Sequence, residues 1–227
     1  MTFSIAARCA ATGRFGIAIS SSSPAVAARC AHVRAGAGAV ASQNITDPRL
    51  GPAALDLMAL GASASAALDV LIAARPHIAY RQLLAVDARG RTAIFSGPKT
   101  LGIHATAEGL DAVAAGNLLA NDAVPAAMIA AFTAHSGGDL GGRLVEALVA
   151  GLMAGGEAGP VHSAGLLMAG EEQWPIADLR VDWDETDPIG KLAALWQAWR
   201  PQMDAYVTRA LDPTAAPSYA VPVPGDE

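Results

Sequence analysis

The sequence predicts an α+β protein, a four-layer α-β-β-α sandwich with two antiparallel sheets between helix pairs. Three observations carry that expectation. Strands and helices come in blocks (strands, two helices, strands, two helices, strands, one helix), which argues against βαβ winding. Tight turns join segments of period 2, so β-hairpins dominate the connections. Hydrophobic residues make up 52% of the 227 residues, and few are aromatic, so Ala-rich layers can approach closely around a large core.

The first hairpin begins at the start of the chain. Thr2-Phe3-Ser4-Ile5-Ala6-Ala7 alternates polar or small residues with apolar ones. Thr12-Gly13 signals a turn. Phe15 to Ser20 then alternates again, with Phe15, Ile17 and Ile19 on one face and Gly16, Ala18 and Ser20 on the other. A strand that starts at Thr2 ties the terminus into a sheet, where most termini fray. Ser20 to Pro24 reads either as a flexible loop or as a hydroxyl-lined, amide-rich pocket wall. Ala25 to Val33 is a short helix or a continuing loop, and Arg34 to Ser42 is read as a third strand of very small residues. Its Gly36-Ala37-Gly38 lacks the third glycine of a dinucleotide fingerprint and does not open a helix.

A helical hairpin follows. Pro52 after Gly51 starts its first helix and Gly61 stops it. Ser63 caps the second, which turns Leu68, Leu71 and Ile72 inward and ends at Arg75-Pro76. Gln82 to Asp87 and Thr92 to Ser96 flank Ala88-Arg89-Gly90 as a second β-hairpin. Gly102 to Thr106 and Ala112 to Gly116 read as strands, then Val124 to His135 and Leu140 to Met153 as helices. Ser163 to Ala169 and Ala177 to Val181 are the last strands. Pro188 opens an amphipathic helix carrying Leu192, Leu195, Trp196 and Trp199, which restarts beyond Arg200-Pro201 to Ala210. The tail from Asp212 holds four prolines and is expected to be extended or disordered. Residues 1–211 are thus expected to form a single domain and 212–227 a Pro-rich appendage.

Charge and composition narrow the function classes. The net charge is −6, and the 15 Lys and Arg are scattered, which argues against nucleic acid as a partner. No apolar run approaches the roughly 18 residues of a membrane span, and the N-terminus lacks a signal-peptide core. A cytoplasmic protein acting on a small molecule, with neither membrane nor nucleic-acid partner, is the expectation. Cys9 and Cys30 do not suggest a disulfide framework, and neither has a Cys or His partner at zinc-ligand spacing. The five histidines stand singly, so no metal site is expected. Trp196 and Trp199, crowning a helix before a Pro-rich tail, suggest a homodimer.

Thr2 carries the chemistry. Removal of Met1, which aminopeptidases perform readily before a small residue, would leave a hydroxyl and a free α-amine on one residue held in a strand. An α-amine has a pKa of about 7.7–8.0, against roughly 10.4 for Lys, and can act as a base near neutrality. A Thr beside its own terminal amine is a recognised way to activate a weak nucleophile. The structural alternative is that Thr simply suits a strand.

A sandwich whose first strand begins with such a residue resembles the N-terminal-nucleophile (Ntn) hydrolases. More closely, the chain resembles the bacterial family labelled domain of unknown function 1028, an Ntn-hydrolase-like group. The runs that carry the resemblance are Thr2-Phe3-Ser4-Ile5, Arg34 to Gln43, Gly51-Pro52 with Leu55, Arg81-Gln82, Gly116-Asn117, Ser163-Ala164, and Asp178 to Asp182 leading to Asp187-Pro188. Ser42 stands where a Thr is usual. Gly159-Pro160-Val161-His162 departs from the Arg- and Gln-rich run of many relatives, which bears on substrate more than on fold.

The resemblance implies a set of site residues. Thr2 would be the nucleophile, and Arg34 would supply a cation near it, as in proteasome-like relatives. Asn117 would donate to an oxyanion, and Ser163 would orient the amine. Ser21, Ser22, Gln43 and His162 would contact substrate. Plain alternatives stand beside these roles: a strand-end Arg reaching solvent, a turn Asn, a Ser at a strand start, a packed His. Asp178, Arg180 and Asp182 alternate as an ion-pair ladder, and Glu157, Glu171 and Glu172 read as solvated charges. The implied activity is hydrolysis of an amide or ureide bond of a small metabolite, without a cofactor. The alternative is a non-catalytic member of the fold that binds a metabolite or a protein partner.

Overall fold

The computed structural model describes residues 1–218. The alternating segments at the start of the chain pair as β1 (Thr2–Arg8) and β2 (Phe15–Ser21), with Phe3 opposite Ser20 and Arg8 opposite Phe15. A short helix α1 (Val26–Cys30) leads to β3 (Ala31–Arg34) and β4 (Gly38–Asn44). Helices α2 (Leu50–Ala59) and α3 (Ala64–Ala74) form the expected hairpin. Ser63 Oγ caps α3 by accepting from Ala66 N at 3.1 Å. Then come β5 (Arg81–Asp87), β6 (Thr92–Ser96), β7 (Ala105–Gly109) and β8 (Ala112–Asn117). Helices α4 (Val124–Ala134) and α5 (Leu140–Met153), strands β9 (Ser163–Ala169) and β10 (Pro175–Val181), and helices α6 (Pro188–Trp199) and α7 (Met203–Leu211) complete the order.

The strands form a six-stranded sheet of order β10-β9-β2-β1-β8-β7 and a four-stranded sheet of order β3-β4-β5-β6, both antiparallel. Four layers require three buried interfaces, and three apolar clusters fill them. Phe3, Ile5, Leu144, Leu148 and Trp196 pack between the six-stranded sheet and helices α4, α5 and α6. Phe15, Ile17, Ile19, Leu84 and Val86 pack between the sheets, and Val40, Leu55, Leu68 and Leu83 pack under α2 and α3. The face assignment of β2 is as its alternation implies. On its other face Gly16 lets α5 close in, since a Cβ there would stand 2.5 Å from Leu144 Cδ1.

Several expectations are corrected. The run 34–42 is not one strand: β3 ends at Arg34, Gly36 takes φ 69° in a turn, and β4 begins at Gly38 with φ 150°. Small residues suit the close layers on either side, and the same glycines permit the left-handed turn between them. The strand expected at 102–106 begins later, at Ala105. Helix α2 starts at Leu50, two residues before Pro52. Trp196 and Trp199 do not crown a surface. Trp196 is buried against α5 at Gly141, while Trp199 stacks on Tyr206 at 5.0 Å and donates Nε1–H to Ile176 O at 3.0 Å. Their ridge is satisfied within the chain, which removes the basis on which a homodimer was expected. Asp178 and Arg180 do pair, at 2.7 Å. Cys30 is a buried core residue. Part of the Pro-rich tail lies outside the described residues.

Candidate active site

β1 sits in the middle of the larger sheet, and its alternation sorts its side chains to two sides. Phe3, Ile5 and Ala7 face the helices, whereas Thr2, Ser4 and Ala6 face the smaller sheet. Thr2 lies directly opposite Asn117 of β8, and its Oγ is 3.5 Å from Ser21 Oγ of β2. Ser21 in turn lies opposite Ser163 of β9. Opposed residues of an antiparallel pair share a face. Asn117, Thr2, Ser21 and Ser163 therefore form a polar row across four adjacent strands at one end of the sandwich.

Met1 ends in this row. Its carbonyl oxygen accepts from Thr2 Oγ and, at 2.5 Å, from Ser21 Oγ. Ser21 Oγ itself accepts from Ser23 N at 3.0 Å, which leaves its proton for the carbonyl. The Met1 side chain lies against Gly159, within 3.5 Å of where a Cβ would be. Ser163 Oγ donates to Ser23 O at 2.6 Å and accepts from Val26 N at 3.3 Å, so it ties the Ser20–Ser23 segment to β9. That segment is therefore held by hydrogen bonds and is not a free loop.

Beneath the row, a chain of amides crosses between the sheets. Ser4 Oγ donates to Gln43 Oε1 at 2.6 Å, and Gln43 Nε2 donates to Gln82 Oε1 at 2.9 Å and to Ala115 O at 3.3 Å. Gln82 Nε2 donates to Ser96 Oγ and to Gly116 O, and Gln82 Oε1 also accepts from Asn117 Nδ2 at 3.2 Å. Amide orientation follows from such a network. The carbonyl acceptors of Ala115 and Gly116 hold both glutamines one way round, which forces Nδ2 of Asn117 toward Gln82. Its Oδ1 is buried and without a partner among the described residues. Asn117 was expected to donate to an oxyanion, but the group it leaves free is an acceptor. Ser21 Oγ is the donor that reaches a carbonyl beside Thr2. Gln43 is the inter-sheet strut below the row.

Two expectations about charge are overturned. Arg34 is not near Thr2. It pairs with Gly38 at the turn end of β4, five residues from Gln43, about 17 Å away at strand rise. Its guanidinium bonds Asp56 of α2 at 2.7 Å, half in solvent. Glu157, read as a solvated loop charge, is 4% exposed. Gly155 and Gly156, at φ 127° and 60°, turn the chain after α5 so that Glu157 bridges antiparallel to Leu119, just past Asn117. Ala158 N donates to Leu118 O at 2.9 Å and fastens the segment there. Both Glu157 carboxylate oxygens accept from Ser22 N, at 3.2 and 3.1 Å. Burial lifts the carboxyl to about 7, against the opposing pull of the chain's terminal ammonium, the Ser22 hydroxyl and N–H, and His162. A lone carboxylate between Gly155-Gly156 and Gly159-Pro160 was the only sequence signal for it.

His162 stands beside Glu157. Its backbone N donates to Ser21 O at 2.9 Å, its ring stacks on Trp183 at 4.5 Å, and Nδ1 lies 3.1 Å from Asp184 O. Among the described residues, no group of three or more His, Cys, Asp or Glu could hold a metal ion.

Fold and site together define an α-β-β-α protein whose first strand carries the chain terminus into a polar row at one end of the sandwich. The chain belongs to the DUF1028 family, a family of unknown function whose model matches residues 2–192. The crystal structure of protein SPO2555 from Silicibacter pomeroyi, assigned to the same family, superposes with a TM-score of 0.80 at 31% identity, covering 87% of this chain and 88% of that one. Anbu, an ancestral β-subunit from Yersinia bercovieri, covers 96% of this chain and 100% of its own at 7% identity and a TM-score of 0.40, too low to argue from. No protein of curated function matches the chain.

Proposed function

We propose that the protein is an Ntn-type amidohydrolase that cleaves an amide or ureide C–N bond of a small metabolite, with Thr2 as nucleophile once Met1 is removed. One observation carries the reading: a carbonyl group, that of Met1, sits where Thr2 Oγ and Ser21 Oγ both reach its oxygen. In this reading a substrate carbonyl takes that place. Thr2 Oγ attacks its carbon while the α-amine of Thr2 accepts the hydroxyl proton and delivers it to the leaving nitrogen. Ser21 Oγ–H donates to the oxyanion, and Asn117 Oδ1, across the β1–β8 pair, accepts from the amine. Water, deprotonated by the same amine, then cleaves the ester on Thr2 and releases the acid. No cofactor takes part. The proposal includes a cytoplasmic location, consistent with two unpaired cysteines, and one functional domain over residues 1–211. Among the described residues no helix is long and apolar enough to cross a membrane. Homodimerisation belongs to the proposal on different grounds from before: Trp183 and Leu195 are exposed side by side next to β10 and α6.

The mass of the untagged chain and its activity on a panel of small amides and ureides test the reading. Processed protein should turn over at least one member. Thr2→Ala should abolish that turnover and Thr2→Ser retain part of it. A tagged, Met1-retaining chain as active as the processed one would overturn the mechanism. A panel without turnover by processed protein would favour the non-catalytic binding role.

A further inference from the structure

Glu157 is a buried carboxylate without a fixed cation. Among the described residues, no Lys or Arg forms an ion pair with it, and the hydrogen bonds that reach it come from the uncharged Ser22. A buried charge is ordinarily paired. Met1 lies beside it: its carbonyl accepts from Thr2 and from Ser21, the neighbour of the Ser22 that bonds Glu157, and its side chain lies along Gly159, two residues on from Glu157. With its α-ammonium, Met1 has the form of an α-aminoacyl group.

We propose that the space filled by Met1 is the acyl subsite and that Glu157 selects its occupant, so that the substrate is an amide whose acyl group carries a primary ammonium next to the carbonyl. This rests on the hydrolase reading above and narrows it from any small amide to aminoacyl amides. Glu157 holds the ammonium, Ser21 Oγ the carbonyl oxygen, and the Gly159 surface an unbranched side chain. The recognition is of the charge and its spacing from the carbonyl. Retained Met1 occupies the same subsite and excludes ligand.

The test separates binding from turnover. The processed full chain carrying Thr2→Ala cannot form the ester, so calorimetry reads binding alone. L-Methioninamide should bind it about a hundredfold more tightly than its desamino analogue, the scale on which removing one partner of a buried charge pair acts. Adding Glu157→Gln should abolish that preference, and the Met1-retaining chain should bind neither compound. Equal affinities, no binding of either compound, or a preference that survives Glu157→Gln would overturn the proposal. If Glu157 instead holds the enzyme's own α-amine, Glu157→Gln lowers kcat on aminoacyl and desamino amides alike with KM unchanged, which also overturns it. Ammonium preference without turnover by the Thr2 chain would sink the hydrolase reading and leave the subsite standing. Turnover without preference would do the reverse.

Discussion

Glu157→Gln in the Met1-bearing chain should make the protein more stable at alkaline pH and leave it nearly unchanged at acid pH. The reason is linkage. Burial raises the carboxyl from 4.5 to about 7 in the folded chain. Below about 4.5 both folded and unfolded chains hold the proton, and the group contributes nothing. Between about 4.5 and 7 the unfolded chain ionises first, so stability falls as pH rises. Above about 7 the loss is complete. At about 1.4 kcal/mol per pH unit, that interval corresponds to roughly 3 kcal/mol, or roughly 6–12 °C in Tm for a chain of this size. Other groups titrate nearby with different signs. Burial depresses His32, so it loses stability on acidification below its ordinary value. Asp47, held at about 2 by Arg49, loses stability at still lower pH. Both are common to wild type and variant and cancel in the difference. Urea unfolding of the two proteins from pH 4 to 9 measures it. Curves that remain parallel across that range would show that Glu157 keeps its ordinary carboxylate behaviour and is not a buried charge awaiting a partner.

Other outcomes follow from particular contacts. Gly16→Val should lower stability by about 1–3 kcal/mol, because its Cβ alone would stand 2.5 Å from Leu144 Cδ1, and thermal melting reads the effect. Ser21→Ala should reduce kcat by about 10²-fold or more if its hydroxyl holds the oxyanion, with the fold intact by circular dichroism. Arg34→Gln should leave steady-state kinetics unchanged and cost at most about 1 kcal/mol, since its pair with Asp56 is largely solvated. A large loss of activity there would return a catalytic cation to the site.

Elements whose signals are local were legible in the residues. The alternation in β1 and β2, the Ala88-Arg89-Gly90 turn, the Ser63 cap and the span Leu140–Met153 each rest on interactions within a few residues. Face assignment in β2 followed from period 2 alone, and the alternation from Thr2 onward marked a strand at the start of the chain, whereas its central place came only with the sheet order. The turn at Gly36 was missed because a run of small residues has the same period as a strand and as the turn that interrupts it. Trp196 and Trp199 looked like a surface ridge because helical spacing shows which side chains share a face but not what covers it. Packing against Gly141 and Tyr206 decided that.

The site divided along the same line. Thr2 was singled out by its place at the head of a strand, and Ser21 and Ser163 by the family resemblance. Their assembly into one row needed the order β8-β1-β2-β9, which brings together residues more than a hundred positions apart. Arg34 was misplaced because its distance from Thr2 depends on which end of the four-stranded sheet lies over the head of β1, and Arg34 is at the other end, opposite Gly38. The direction of the Asn117 amide was set by Gln43 and Gln82 from the opposite sheet. Glu157 was invisible as a buried charge because burial is a property of the finished packing. Two glycines and a backbone bridge to Leu119 carry it beneath Ser22, and a carboxylate in a glycine-rich loop has no sequence mark that distinguishes it from one in water.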